Sequence, residues 1–514
     1  MSGARPLGGA GVLDGGGASE RVRDFGRAQA LDGGLPRAAF FGPDALNQVY
    51  IRSDWGPDAT YVTFRAGDTF AHHGHYDAGH FTLFKGAPLA INSGTYGDFF
   101  GEHRLDYSIR SVAKNTLLVL RPGERVPVGG VFRRNVADGG QRVVLPTGSA
   151  VGSVADWLSN LGQGQHLEGG DVVHFAHREG ELTSVAADLT PAYNAPGHDE
   201  GGSGGKVRRV LRQLVYLAEE DRLIVYDQVT ATDPSHTKKW LLHTVQRPEA
   251  EGLRVLAGAP ENGILETTAD RARVQNGRGH LLVRRFLPED GRLRLVGGPD
   301  YRYYVEADGD DSDLDGRNVV EGANEKPWFD LGQWRIELQP GAARASDEFL
   351  VVLTPGLDGP PADDTELVQT DEGGAAVDAA ERMQTDVDAA QRRAEPLHSG
   401  AGGARGRVGG RLRGIATPTS VVFFADSGWE RETQLGEHAA QPGEREAVFQ
   451  MPPGRQRLYL LGLPPGGAVQ LQHAGGSVPI TVDPDGLAKM EMGTFCITCG
   501  PSAPRLFSIR WGGS

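Results

Sequence analysis

Residues 72–81, HHGHYDAGHF, place four histidines and an aspartate within ten positions. Imidazole moves protons near neutral pH and ligates metals, and a carboxylate nearby can orient it. In an extended segment alternate residues share a face, which would set His73, His75 and Asp77 on one side and His72, Tyr76 and His80 on the other. Two histidines and an acid converging from one strand could bind a metal or prepare one imidazole for proton transfer. The plainer reading is a set of hydrogen-bonded histidines in a polar groove. Five of the fifteen histidines fall between 72 and 103, His103 being the last, and that clustering favours a site.

Strands have to carry these residues. Glycine contributes 74 of 514 residues and proline 31, and the apolar runs are short and rich in β-branched residues, a pattern of strands joined by turns. VLRQLVYLAEEDRLIVYDQVTA reads as a hairpin around Glu219–Arg222. The expected architecture is all-β. Residues 1–46 read as disordered or linker, 47–356 as a large antiparallel β-sandwich, 357–414 as a linker with one possible helix, and 415–514 as a small β-sandwich-like module.

The formal charge of −15 argues against a nucleic-acid partner, because phosphate binding requires a basic surface. A local basic patch on an acidic protein can still hold an acidic sugar. No apolar run approaches the ~20 residues of a membrane span, and the first residues lack the apolar stretch of a secretory signal. The two cysteines, Cys496 and Cys499, make half a zinc site at most. Asp311, Asp313, Asp315 and Gly316 imitate a calcium loop, but Glu321 closes it one position early, so a solvated acidic turn is the better reading. Lys206, Arg208 and Arg209 could touch an acidic glycan or form a solvated strand end. GGSGGK and GAGGARG lack the strand and helix that a phosphate loop requires.

Three blocks carry more specific information: YIRSDWGPDATYVTFRAG, HGHYDAGHFTLFKGAPLAINSGTY and HRLDYSIRSVAKNTLLV. Their order and spacing, with GGPDYRYYVEA and LGQWRIELQPG later, resemble the C-terminal β-sandwich of the heparinase II/III-like polysaccharide lyases over roughly residues 40–356. The resemblance implies β-elimination on uronate glycans such as heparin, heparan sulfate or alginate. Elimination requires a neutralised carboxylate, a base at C5 and an acid at the leaving oxygen. It further implies proton transfer or carboxylate binding at His73, with Tyr96 and His103 as further catalytic candidates and Asp77, His80, Asn92 and Lys114 around the substrate. His75 maps onto a ligand of a structural zinc. The family pattern has aspartate at Asn92 and histidine at Lys114, so the expectation here is a degenerate site without zinc. Lys114 would stand in the metal's place, paired with Asp77 or Asn92.

The family's α/α toroid, which supplies the catalytic tyrosine, is not legible in the forty or so residues before the resemblance. A separate toroid polypeptide, a truncated chain or another role for the β domain would each account for that. Tyr76, Tyr96 and Tyr107 lie near enough in sequence to substitute. The resemblance implies a periplasmic or secreted protein, while the chain itself leaves localisation unknown. The competing reading is a glycan-binding or scaffold module that has lost its metal site. A hydrolase or epimerase using the same groove is a third.

Overall fold

The computed structural model describes residues 35–43, 46–68, 74–124, 138–141, 153, 155, 169–194, 205–307, 315–368 and 370–371. From 408 onward it describes the strands and their immediate flanks. Within those residues the protein is all-β, a set of mostly antiparallel sheets with only short helical turns at Arg104–Ser108, Ser111–Ala113 and Thr190–Tyr193. Among the described residues no helix is long and apolar enough to cross a membrane.

Three sheets build the large sandwich. A five-stranded meander runs Ala38–Phe41, Gln48–Arg52, Tyr61–Arg65, His80–Lys85 and Ala87–Ala90. A seven-stranded sheet is centred on Val207–Leu217, Arg222–Ala231 and Ser346–Leu357. A six-stranded sheet includes Leu117–Leu120, Thr237–Thr244 and Trp334–Gln339. The strand Ala38–Phe41 lies in the segment expected to be disordered or linker; its ladder with Gln48–Arg52 draws it into the sandwich.

The expected hairpin is present, with Leu217 opposite Arg222 and Asp221 in the left-handed region at the turn. Its strands bury both faces. Leu214, Tyr216, Leu223, Val225, Val351 and Leu353 point into a core shared with Val49, Phe64, Phe81, Trp240 and Ile336 of the other two sheets. The intervening residues Val215, Ile224, Tyr226, Leu350 and Val352 point the opposite way, against Ile415, Val422, Phe424 and Tyr459 of the C-terminal module. A sheet covered on both sides needs apolar residues at successive positions, which is why LVYL, RLIVY and FLVVL are nearly continuous runs.

The C-terminal module consists of a five-stranded and a six-stranded sheet. Two strands of the first reach into the segment 357–414 expected to be linker: Glu366–Val368 lies wholly within it, Leu412–Ala416 crosses its end, and the two pair with each other. The possible helix of that segment, Cys496, Cys499, Asp311 and Asp313 lie outside the described residues. Asp315 accepts a hydrogen bond from the Ala307 amide at 3.0 Å. Lys206 is not a solvated strand end: it is buried and donates to Glu124 and to the Gly140 carbonyl at 2.7 Å.

Candidate functional site

The histidine-rich stretch is not one strand. His72 and His73 lie outside the described residues, residues 74–79 are irregular, and the strand begins at His80. Gly79 causes the change of direction. Its φ is +81°, and a Cβ there would lie 2.4 Å from Leu189, so only glycine fits. The expectation that His75 and Asp77 share a strand face is therefore corrected. What brings them together is a folded loop anchored by the Tyr76 amide on the Ile109 carbonyl and the Gly79 amide on the Arg65 carbonyl.

At the centre stands Lys114, which is fully buried. It follows the 3-10 turn Ser111–Ala113 with extended backbone, and this sends its side chain back under the loop. Its Nζ donates to Asn92 Oδ1, to the Ser108 carbonyl at 2.7 Å and to His75 Nδ1 at 2.9 Å. An ammonium has three N–H donors and here it meets three acceptors. Burial pushes the Lys114 pKa down from 10.5 to about 7, with the Asp77 carboxylate opposing that shift and Arg65 adding to it.

The same contact determines His75. The Lys114 charge, then burial, then Arg104 and Arg65 lower its pKa to about 2, so the ring is neutral at ordinary pH. With Nδ1 accepting from an ammonium, the ring proton belongs on Nε2. His75 is half-buried, and Asn92 is exposed. The pair forms the accessible edge of a centre whose cation lies behind it. Arg65 ion-pairs with Asp77 and donates to the Asp68 carbonyl at 3.0 Å. Arg104 stacks its guanidinium 3.9 Å over the Phe99 ring and donates to the Phe99 carbonyl. Neither arginine stood out in the sequence. Arg65 only ends an ordinary strand, and Arg104 is overshadowed by His103.

Several expected site residues have other work. His103 is buried, with Nδ1 2.7 Å from the Val319 carbonyl and Nε2 accepting from the Thr95 amide at 3.1 Å. Both nitrogens hold backbone, which corrects its assignment as a catalytic candidate. His80 accepts from the Asn115 amide at 2.9 Å through Nδ1, and burial drives its pKa well below 6.5. Through that bond it holds the segment beside Lys114. Lys114 spends all three of its donors on the protein. Tyr76 and Tyr107 are buried, the latter sharing a hydrogen bond with Ser93 at 2.9 Å. Tyr96 is 67% exposed and is the tyrosine at the rim.

A zinc ion does not suit this donor set. Zinc sites use thiolate, imidazole or carboxylate donors in a tetrahedral set. Here the donors His75 Nδ1, Asn92 Oδ1 and the Ser108 carbonyl converge on an ammonium nitrogen that cannot ligate while protonated. Among the described residues no three His, Cys, Asp or Glu side chains group as a metal site.

Residues 36–327 match the family described as heparinase II/III-like, C-terminal. The chain belongs to that family. Among solved structures it is similar to the heparan sulfate lyase HepC from Pedobacter heparinus, at 13% identity over 70% of this chain and 44% of that one, with a TM-score of 0.38. A crystal structure of heparinase III is similar at 14% identity over 66% of this chain and 40% of that one, with a TM-score of 0.37. The chain thus spans less than half the length of these structures. No curated protein matches it.

Proposed function

We propose that the protein is a polysaccharide lyase, or the β-domain part of one, that cleaves a uronate-containing glycan by β-elimination. The observation that carries this reading is the charge around His75. Lys114, Arg65 and Arg104 all act on it, in a protein whose formal net charge is −15. Such a local excess of positive charge suits a sugar carboxylate. The His75 Nε2–H donates to that carboxylate, with the exposed Asn92 beside it and the lysine charge behind. Neutralising the carboxylate makes the C5 proton acidic. His73 and Tyr96 are the candidates to take that proton and to protonate the C4 oxygen as the C4–O bond breaks. An α/α toroid, in the same or another polypeptide, would complete the cleft. The positive charge a metal would bring is supplied here by Lys114 while it is protonated and by Arg104.

Elimination leaves a C4–C5 double bond conjugated to the carboxylate, which absorbs at the short-wavelength edge of the ultraviolet. Purified protein incubated with uronate glycans is expected to develop that absorbance while metal analysis finds no stoichiometric zinc. His75→Ala and His73→Ala are expected to lower kcat/KM by about 100-fold or more. Glycan binding without absorbance on any uronate substrate would support the competing reading, a binding module. That alternative is favoured by one observation: His103, His80 and Lys114 are all committed to protein contacts.

A further inference from the structure

The face of the seven-stranded sheet that carries the C-terminal module changes character along its strands. Ile224, Tyr226, Leu350 and Val352 pack against the module. The next outward positions are polar, and they are aligned across three strands. Gln228 stands opposite Glu348, and Thr230 stands between Ser346 and Arg209. Alternate residues of a strand share a face, so these five line one surface. They form the floor of a cleft of about 800 Å³, walled by Leu287 and Pro288 and bordered by Arg413 of the module. Arg212, which binds the Gly79 and Asn115 carbonyls beside the Lys114 centre, is on the opposite face of the sheet. The cleft is therefore separate from that centre.

The polar groups of the cleft are held in place by the protein itself. Glu348 accepts from the Tyr226 hydroxyl at 2.6 Å and from Arg413 at 2.8 Å. Arg344 bridges Asp290 and Asp347. Buried Arg285 pins the wall by donating to the carbonyls of Pro288 and Glu289. A preformed cleft of roughly 300–1,000 Å³ is the usual size of a small-ligand site. Arg344 and Arg413 both face carboxylates, so the cleft lacks the one-sided positive charge that surrounds His75. The Thr230 and Ser346 hydroxyls lie 3.1 Å apart, with the Gln228 amide in the next row. Donors and acceptors thus lie side by side, as the adjacent hydroxyls of a sugar require, and Leu287 and Pro288 offer apolar surface to its C–H face. From the Leu287 strand to the Arg209 strand the floor crosses three strand spacings, roughly 14 Å, the length of about three pyranose rings. We propose that this cleft is a second glycan site, one that performs no chemistry and binds a stretch of uncharged sugar units. No group of the His75 centre takes part, so the cleft stands or falls apart from the lyase reading.

The test is calorimetric titration of the full chain with uncharged trisaccharides, namely maltotriose, cellotriose, mannotriose and triacetylchitotriose, with trigalacturonate as the charged control. At least one uncharged trisaccharide is expected to bind with a Kd of about 1 mM or tighter, and an excess of trigalacturonate should not displace it. Ser346→Arg, which lays a long side chain across the floor, is expected to weaken that binding by about tenfold or more. Thr230→Val removes one hydroxyl and keeps the shape, and should weaken it by about threefold or more. Ser346 is exposed and Thr230 partly so, and unchanged melting temperatures check that both variants fold. No binding of any uncharged trisaccharide would overturn the site. Undiminished binding in both variants, or displacement by trigalacturonate, would overturn it as well.

Discussion

Lys114 gathers three acceptors, His75, Asn92 and the Ser108 carbonyl, around one buried nitrogen. A buried lysine ammonium is costly to desolvate, and here three acceptors limit that cost. The consequence for stability has a definite sign. Lys114 titrates at about 7 in the folded protein against an ordinary 10.5, so between those values the unfolded chain holds more protons. Stability should therefore rise with pH across that window. His75, lowered from 6.5 to about 2, is neutral in the fold and protonated in the unfolded chain below 6.5, so stability falls as the pH drops from 6.5 toward 2. Urea midpoints measured from pH 4 to 10 are expected to climb across both windows. In Lys114→Met the alkaline rise should disappear. The acid fall should also narrow, because the main cause of the His75 shift is gone. A variant whose profile parallels the wild type would refute the assignment.

At the level of elements, the site depends on how the loop before His80–Lys85 is tied to the segment before Leu117–Leu120. The tie is Arg212, on the inner face of Val207–Leu217. Its guanidinium is wholly buried, paired with Asp227 at 2.7 and 2.9 Å, and donates to the Gly79 carbonyl at 2.6 Å and the Asn115 carbonyl at 2.8 Å. Removing one member of a buried ion pair leaves the other charge without compensation. Arg212→Met is accordingly expected to cost about 3–5 kcal/mol in urea unfolding. A loss under about 1 kcal/mol would show that the loops hold without it. Arg212 was not legible as a site residue. It lies roughly a hundred positions from Asn115 in sequence, and nothing in VLRQLVYL distinguishes an arginine that faces solvent from one that faces a carboxylate.

Across the whole molecule, the seven-stranded sheet is the structural centre, with the other two sheets of the sandwich on one face and the C-terminal module on the other. Phe424 packs on Tyr226 with ring centroids 4.9 Å apart, and the Tyr226 hydroxyl donates to Glu348, which also accepts from Arg413. The module therefore acts as a cover for apolar sheet surface. Phe424→Ala is expected to destabilise the protein by about 3–5 kcal/mol through the cavity it opens against Tyr226, Leu350 and Val352. Chemical unfolding followed by tryptophan fluorescence would measure it, and a change under about 1 kcal/mol would mean that the interface contributes little.

Short-range pattern in the chain was sufficient for the all-β class, for the hairpin around Asp221 and for the family, and the resemblance drew attention to His75, Asn92 and Lys114, which the structure places in contact. Each of these rests on residues close together or on a motif of fixed spacing. The tertiary structure alone decided that Gly79 breaks the histidine stretch, that His80 and His103 hold backbone, and that Arg65 and Arg104 add their charge at His75. It also decided where the C-terminal module stops on the seven-stranded sheet, and so where the polar cleft opens. Those outcomes depend on which partner a side chain meets across the fold, and hydrogen-bond partners and burial are set by packing between strands far apart in sequence, not by the identity of neighbouring residues.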